Sequence, residues 1–376
     1  LPHSKCGLSA PNFTVKKVDL STSFDVLFLF GEKAMQRSYE SLKQLVEIDS
    51  PTGFTHHAEA FVMNHLQGMG LYPFQTHKGA VKLAFGESPT LAIAAHLDTL
   101  GAIVTGIKAN GTLSISPIGG LGLISFEGAY VRIRTMDDNV FTGTFLLNNP
   151  ASHANKATDS AQRSIESMHI RLDEEVKTKQ ECEQLGIRVG DFVCFDPRYE
   201  ELPSGYIKSR FMDNKASCYV LFAIAEHLAS KNVSIPVELF FSNYEEVGHG
   251  GSGGYAESVK DLLVLDMGVV GDQCEGSETH CSICAKDSTG PYDYAMRKEL
   301  TNLAEANGIA YKSDIYPYYG SDGSAALRAG RDFRVGLIGP GVSASHGVER
   351  THKKGIEATI ALCLAFLRNR FPDAGI

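Results

Sequence analysis

The sequence predicts an α/β protein: a mixed, mostly parallel sheet sandwiched by helices, carrying an inserted small β-rich domain. Three observations predict this. Short continuous apolar runs, such as Leu91-Ala-Ile-Ala-Ala95, read as strands buried on both faces. They alternate with segments of helical period, and strand–helix alternation gives a parallel sheet covered by helices. Between about 102 and 207 the texture becomes period-two alternation, broken by Asn110-Gly111, Gly119-Gly120 and Gly128. That is the mark of short antiparallel strands joined by tight turns. A length of 376 residues fits one large domain plus an insert. The expected division is 1–101 and 208–376 as two parts of the principal domain, with 1–31 as an extension, and 102–207 as the insert.

The elements follow in order. Residues 32–48 read as an amphipathic helix that Asp49-Ser-Pro-Thr-Gly53 stops, because proline and glycine break it. A second helix spans about 56–69 and ends at Gly68-Met-Gly70. Strands follow at Ala80–Ala84 and 91–95, the latter ending at His96-Leu-Asp98. In the insert, Leu113-Ser-Ile-Ser116, Tyr130–Arg134 and Gly190–Asp196 alternate as strands, with one helix near 173–186. After Arg210-Phe-Met-Asp213 the α/β texture returns. It gives a helix at Lys215–Ser230, strands at Pro236–Ser242 and Leu262–Asp266, a helix at Arg297–Asn307, a strand at Val335–Ile338 and a last helix at Lys354–Asn369.

Composition narrows the function. Hydrophobic and charged fractions of 43% and 21% are those of an ordinary globular protein. A net charge of −9 argues against a nucleic-acid partner, which would need a basic surface. No apolar run has the length to span a bilayer, so no membrane partner is expected. Leu1–Gly7 lacks the basic start of a signal peptide, and Val26–Phe30 is too short for its apolar core. Eight cysteines scattered over the chain are too sparse for a disulfide scaffold. They fit free thiols in the cytoplasm. Cys281-Ser-Ile-Cys284, near Cys274 and His280, has half the spacing of a zinc knuckle but no second pair.

The chemistry gathers at predicted element ends. The apolar run Val237–Phe241 delivers Glu245 and Glu246 into a glycine-rich loop. Adjacent side chains on extended backbone point oppositely, so one carboxylate can bind a metal while the other moves protons. His96 and Asp98 follow the strand 91–95, Asp266 ends the strand 262–266, and His346 follows the strand 335–338. Asp213 opens a helix. Singly each has an ordinary use; Asp213, for instance, suits a helix N-cap. Jointly they occupy the strand ends where open α/β sheets bind ligands. Imidazoles and carboxylates without thiols suit zinc, cobalt or manganese. One carboxylate between two ions would let them share a hydroxide that attacks a polarised carbonyl. Asp98 is placed to accept the other N–H of the His96 ring.

The motifs His96-Leu-Asp-Thr-Leu-Gly101, Met212-Asp-Asn-Lys215, Tyr244-Glu-Glu-Val-Gly248, Asp266-Met-Gly268 and Ser345-His-Gly-Val-Glu349 resemble those of the glutamyl/deblocking aminopeptidases. These tetrahedral aminopeptidases are dinuclear zinc-type exopeptidases. Ile118-Gly-Gly120, Leu185–Asp191 and Gly320–Ser324 extend the likeness, which runs from about 35 to 370 in unbroken order. The resemblance implies a phosphorylase/hydrolase-like catalytic domain with an inserted β-barrel-like dimerisation domain. It implies two divalent ions per subunit, zinc foremost and cobalt or manganese as alternatives. Asp213 would bridge them, His96 and Asp266 would complete one site, and Glu246 and His346 the other. Glu245 would be the general base, with Asp98 beside it in the catalytic set. It further implies a peptide substrate and a homo-oligomer built from dimers, dodecamers being common in the family. Thr99, Asn214 and Lys215 depart from the family's usual residues, and Ser152–Met168 is longer and more polar than its pattern.

The expected activity is metal-dependent removal of N-terminal residues from short peptides. The alternative is a deacylase or carboxypeptidase of a related two-metal family. A substrate amine would want carboxylates, for which Asp322 and Asp287 are candidates; a substrate carboxylate would want Arg210 or Arg350. Glycoside hydrolysis by two carboxylates would leave His96, Asp213 and His346 without a role, in a chain that has no Trp for a sugar cleft.

Overall fold

The structure is a computed structural model and describes residues 37–376, of which Ser38–Ile376 form one compact unit. The extension 1–31 and residues 32–36 of the expected 32–48 helix lie outside the described residues, and in the described part that helix begins only at Glu40. The chain runs α1 (Glu40–Glu47), α2 (His56–Gly68), β1 (Phe74–Gln75), β2 (Val81–Ala84) and β3 (Leu91–His96). Next come β4 (Gly101–Ile107), β5 (Leu113–Ile118), α3 (Leu123–Phe126), β6 (Tyr130–Arg134), β7 (Val140–Leu147), β8 (Met168–Leu172), α4 (Lys179–Gln184) and β9 (Phe192–Phe195). Then follow β10 (Glu200–Glu201), β11 (Tyr206–Ser209), α5 (Met212–Ser230), β12 (Val237–Ser242), β13 (Asp261–Leu265), β14 (Gly268–Val270) and β15 (Cys281–Lys286). The last are α6 (Tyr294–Ala306), β16 (Tyr311–Ile315), α7 (Asp322–Arg328), β17 (Arg334–Ser343), β18 (Glu349–His352) and α8 (Lys353–Arg370). No described helix is long and apolar enough to cross a membrane.

A mixed sheet of twelve strands carries the molecule, ordered β1-β2-β12-β3-β13-β17-β18-β11-β10 along its main path. Its centre, β12-β3-β13-β17, is parallel; β2, β15 and β18 join that centre antiparallel, while β14 and β16 add parallel pairs. Successive side chains serve opposite faces. Ala92, Ala94, Leu262, Val264, Val335 and Leu337 share one face with Ala326 of α7. The other face meets α5, where the Phe222 and Phe241 rings lie 5.4 Å apart, and α6, whose Met296 packs over Gly336. Two buried faces explain why these strands read as unbroken apolar runs.

β4-β5-β8-β7-β6-β9 close into an antiparallel barrel, which leaves no open sheet edge. Its alternating inward residues, including Val104, Ile115, Val131, Ile133, Phe145, Ile170 and Val193, form a separate core. Two devices tie the barrel to neighbouring segments. The buried Asp49, just past α1, takes hydrogen bonds from Arg132 (2.6 Å) and Arg134 (2.5 Å) of β6. Arg210, itself buried, donates to the carbonyls of Asp196 and Ser125 and lies over the Phe126 ring.

Several elements differ from expectation. The 173–186 helix shortens to α4 because Thr178 caps it, in a reciprocal pair with Glu181, and β8 runs as far as Leu172. β15, β16, β18 and α7 were not foreseen in the pattern. β16 (Tyr-Lys-Ser-Asp-Ile) and β18 (Glu-Arg-Thr-His) are too polar to read as strands, and α7 is short and interrupted by Gly323. Cys281 and Cys284 are free thiols in β15, inside the sheet.

Candidate metal centre

Four neighbouring parallel strands aim their carboxyl ends at one edge, and the chemistry-bearing residues leave from there. His96 ends β3 and stands level with Ser242, the last residue of β12. Glu245 and Glu246 follow β12, Asp266 follows β13, and His346 follows β17. Asp213 enters from the start of α5. The chain turns sharply at each of three segments. Phe211, Tyr244 and His346 all take left-handed backbone, with φ of 68°, 67° and 60°. Such conformations are uncommon for residues other than glycine and cost on the order of 1–3 kcal/mol each. The Asp213–Asn214 peptide is cis.

Asp213 lies between the two imidazoles. Its Oδ1 is 3.3 Å from His96 Nε2 and its Oδ2 is 3.6 Å from His346 Nε2. Asp266 Oδ1 stands 4.0 Å and Glu245 Oε2 3.7 Å from His96 Nε2. Glu246 Oε2 is 3.7 Å from His346 Nε2. Among the described residues, His96, Asp213 and Glu246 are the one set of three with ligand atoms close enough, within 4.8 Å, to hold an ion together. Each imidazole is oriented through its other nitrogen. His96 Nδ1 meets the Asp98 carbonyl at 3.0 Å, and His346 Nδ1 meets the Gly120 carbonyl at 3.0 Å. With Nδ1 donating to a carbonyl, Nε2 is left to bind a metal.

Buried carboxylates brace these segments. Asp98 was expected to take the His96 N–H on its side chain; instead its main-chain oxygen does so, and the carboxylate lies 3.6 Å from the ring. That carboxylate accepts from Thr52 Oγ1 (2.6 Å) and from the backbone N–H groups of Glu245 (3.1 Å) and Glu246 (3.2 Å). Asp322 closes the two ends of the same loop, accepting from Ser242 Oγ and from Gly251 N–H. Asp287 is spent on its own turn, accepting from Thr289, Gly290 and Tyr292. Arg350 forks onto Glu278 over the Tyr206 ring. The variant positions are interior too: Asn214 donates to the Leu265 carbonyl, and buried Lys215 donates to Ser50 Oγ at 2.7 Å. Sequence reasoning missed Thr52, the Gly120 carbonyl and Glu349, whose carboxylate accepts from the Asp213 and His346 N–H groups. The places of Glu349 in the Ser345–Glu349 motif and of Gly120 in Ile118-Gly-Gly120 offered a signal; Thr52 had none.

The electrostatics are those of a site built for cations. Burial pushes Glu245 and Glu246 well above the usual carboxylate range, and neighbouring carboxylates add to it. Burial and the Asp213 charge push Asp266 up to about 8. For Asp98 and Asp213 burial acts upward too, but their imidazole partners outweigh it and hold both below the usual range. The hydrogen bond to Asp213 raises His346 to about 10. Burial opposes the charge on His96, yet Asp213 and Asp98 prevail and hold it well above its ordinary value. Crowded buried carboxylates repel one another unless positive charge joins them. Two imidazole nitrogens among carboxylate oxygens form a donor set that fits zinc, cobalt or manganese.

The comparisons with known proteins agree with this geometry. The sequence profile of the M42 glutamyl aminopeptidase family matches residues 79–362. The chain is 42% identical over 341 residues to YhfE of Bacillus subtilis (strain 168), whose name assigns it provisionally as an aminopeptidase; the match covers 89% of this chain and 99% of YhfE. The fold is similar to aminopeptidase APDkam598 from the archaeon Desulfurococcus kamchatkensis, with a TM-score of 0.78 and 22% identity over 91% of this chain and 96% of the other. It is also similar to the Pyrococcus horikoshii TET1 peptidase, described as assembling into a tetrahedron or a large octahedral shell. There the TM-score is 0.79 and the identity 20%, over 87% of this chain and 98% of the other. The chain belongs to the M42 glutamyl aminopeptidase family, and its activity is that of an aminopeptidase, a peptide hydrolase.

Proposed function

We propose that the chain removes N-terminal residues from short peptides with the help of two divalent metal ions. Asp213 would be shared between them, His96 and Asp266 would complete one site, and His346 and Glu246 the other. Zinc is the first choice, with cobalt or manganese as substitutes. The observation that carries this reading is the split of Asp213, one oxygen toward each histidine. When bound, such ions polarise the scissile carbonyl and make water nucleophilic at neutral pH.

The chain's own residues supply the rest. Glu245 would be the general base: it lies beside the cluster and its side chain is 15% exposed. Its raised affinity for a proton suits a group that takes one from water and hands it to the leaving amine. Asp98 would fix the aim of Glu245 and Glu246 by holding both of their backbone N–H groups. The free-amine reading is favoured over a carboxypeptidase by the family match and the aminopeptidase relatives, since the candidate terminus binders on both sides, Arg210 and Arg350 as well as Asp287 and Asp322, are engaged in other contacts.

The same reading divides the chain into a catalytic part, 1–101 with 208–376, and a β-rich part, 102–207, that joins subunits. The assembly would be a homo-oligomer built from dimers, of the dodecameric kind, in support of which stand the TET assemblies among the similar structures. The setting would be cytoplasmic, in keeping with the seven described free cysteines. Two substitutions test the roles. Glu245→Gln should keep the metal and the fold while lowering kcat at least about 100-fold. Glu246→Ala should instead lower metal occupancy, read by elemental analysis. Near-normal turnover of Glu245→Gln would remove the assignment of the base.

A further inference from the structure

Asp213 and His346 face each other across the centre, yet the central parallel strands do not fix their spacing. Asp213 opens α5, and His346 lies in the loop between β17 and β18. One side chain joins them. Glu349, 2% exposed, accepts the Asp213 N–H on Oε2 and the His346 N–H on Oε1, each at 3.0 Å. The loop needs such a tie, since both Ala344 and His346 take left-handed backbone, with φ of 55° and 60°. Strand β18 does not need it. Ser209 of β11 pairs with Glu349 itself, and Ser343 of β17 pairs with Arg350.

We infer that Glu349 is a positioning residue that sets the distance between Asp213 and His346 and so builds the second ion site. This rests on the two-ion reading above. The chemistry calls for a side chain with an oxygen at each tip. Two N–H donors converge on one side chain, and only an acceptor at both tips satisfies both. Glutamine keeps the shape but turns an NH2 toward one of the donors, so one bond is lost and a donor faces a donor. The effect should fall mainly on the His346–Glu246 site, because His346 belongs to that site alone, while the His96–Asp266 site shares only Asp213. His96 and Asp266 leave from β3 and β13, which are parallel neighbours in register from Leu91 with Asp261 to Ala94 with Val264.

The test is zinc binding by metal-stripped wild type and Glu349→Gln in equilibrium dialysis, with cobalt absorption spectra as a second reading. The wild type should take up two ions per chain. The variant should hold one at near wild-type affinity and the other about 10- to 100-fold more weakly, the usual effect of losing an outer partner of a ligand. Glu349→Ala should weaken the second ion at least as much; if it does not fold, Glu349→Gln decides. Matching thermal midpoints of the metal-free wild type and Glu349→Gln would separate positioning from general damage. Two ions held at wild-type affinity by the variant would overturn the inference, and so would parallel loss of both. A wild type that binds only one ion would overturn the two-ion reading and this inference with it.

Discussion

At the scale of single residues, the centre is a contest between burial and charge. Asp266 is pushed up to about 8 and His346 to about 10, so without metal both hold protons near neutrality. An ion entering the site must displace those protons. The sign follows: affinity rises with pH, and each binding event releases protons. Zinc affinity measured by competition with a chelator should therefore strengthen from about pH 6 to about pH 8, with proton release visible in weakly buffered solution. An affinity independent of pH would mean that these groups are not the ones displaced. Glu245 and Glu246 do not stand on extended backbone, as the sequence suggests; both lie in a turn, where the Gly248 N–H donates to the Glu245 carbonyl, and within it Glu245 faces His96 while Glu246 faces His346. The partners of Asp98 were not legible, because Thr52 and Glu245 lie far from it along the chain and meet it only after folding.

At the scale of elements, the glycine-rich loop after β12 is fitted tightly around its glutamates. A side chain at Gly250 would meet the Asp322 carboxylate and would stand 2.8 Å from the Glu245 Cα. Gly250→Ala should therefore shift Glu245 as well as strain the loop. Overpacking of this kind costs about 1–3 kcal/mol. Thermal unfolding and kcat should both fall, with metal content unchanged; wild-type kcat with full stability would show the loop to be pliable. Buried strands such as β3 and β12 announced themselves as apolar runs. β16 and β18 did not, because their pairing partners, rather than their own composition, make them strands. α7 was hidden by Gly323, which is required where the helix approaches Val335 and Val264 closely.

At the scale of the whole molecule, the parallel centre of the sheet is what turns scattered residues into one site. Strands β12, β3, β13 and β17 run the same way side by side, so their carboxyl ends deliver residues from His96 to His346 to a single edge. That convergence was foreseeable from strand–helix alternation. The closure of the insert into a barrel was an expectation of family resemblance, since alternation alone does not distinguish a barrel from an open sheet. Bound ions should stabilise the entire fold. At about 100-fold above its dissociation constant each ion adds about 2.7 kcal/mol, so chelation should lower the melting temperature by on the order of 10 °C if both leave. An unchanged melting temperature after full metal removal would contradict a centre that holds its ligands together through metal.

Metal-dependent aminopeptidase action is checked first by hydrolysis of aminoacyl-p-nitroanilides beside their N-acetylated counterparts, using metal-stripped protein with and without added zinc, cobalt or manganese. The free-amine substrates alone should be cleaved, with turnover absent from the stripped protein and restored by metal. Cleavage of the acetylated substrates, or turnover indifferent to metal, would contradict metal-dependent aminopeptidase action.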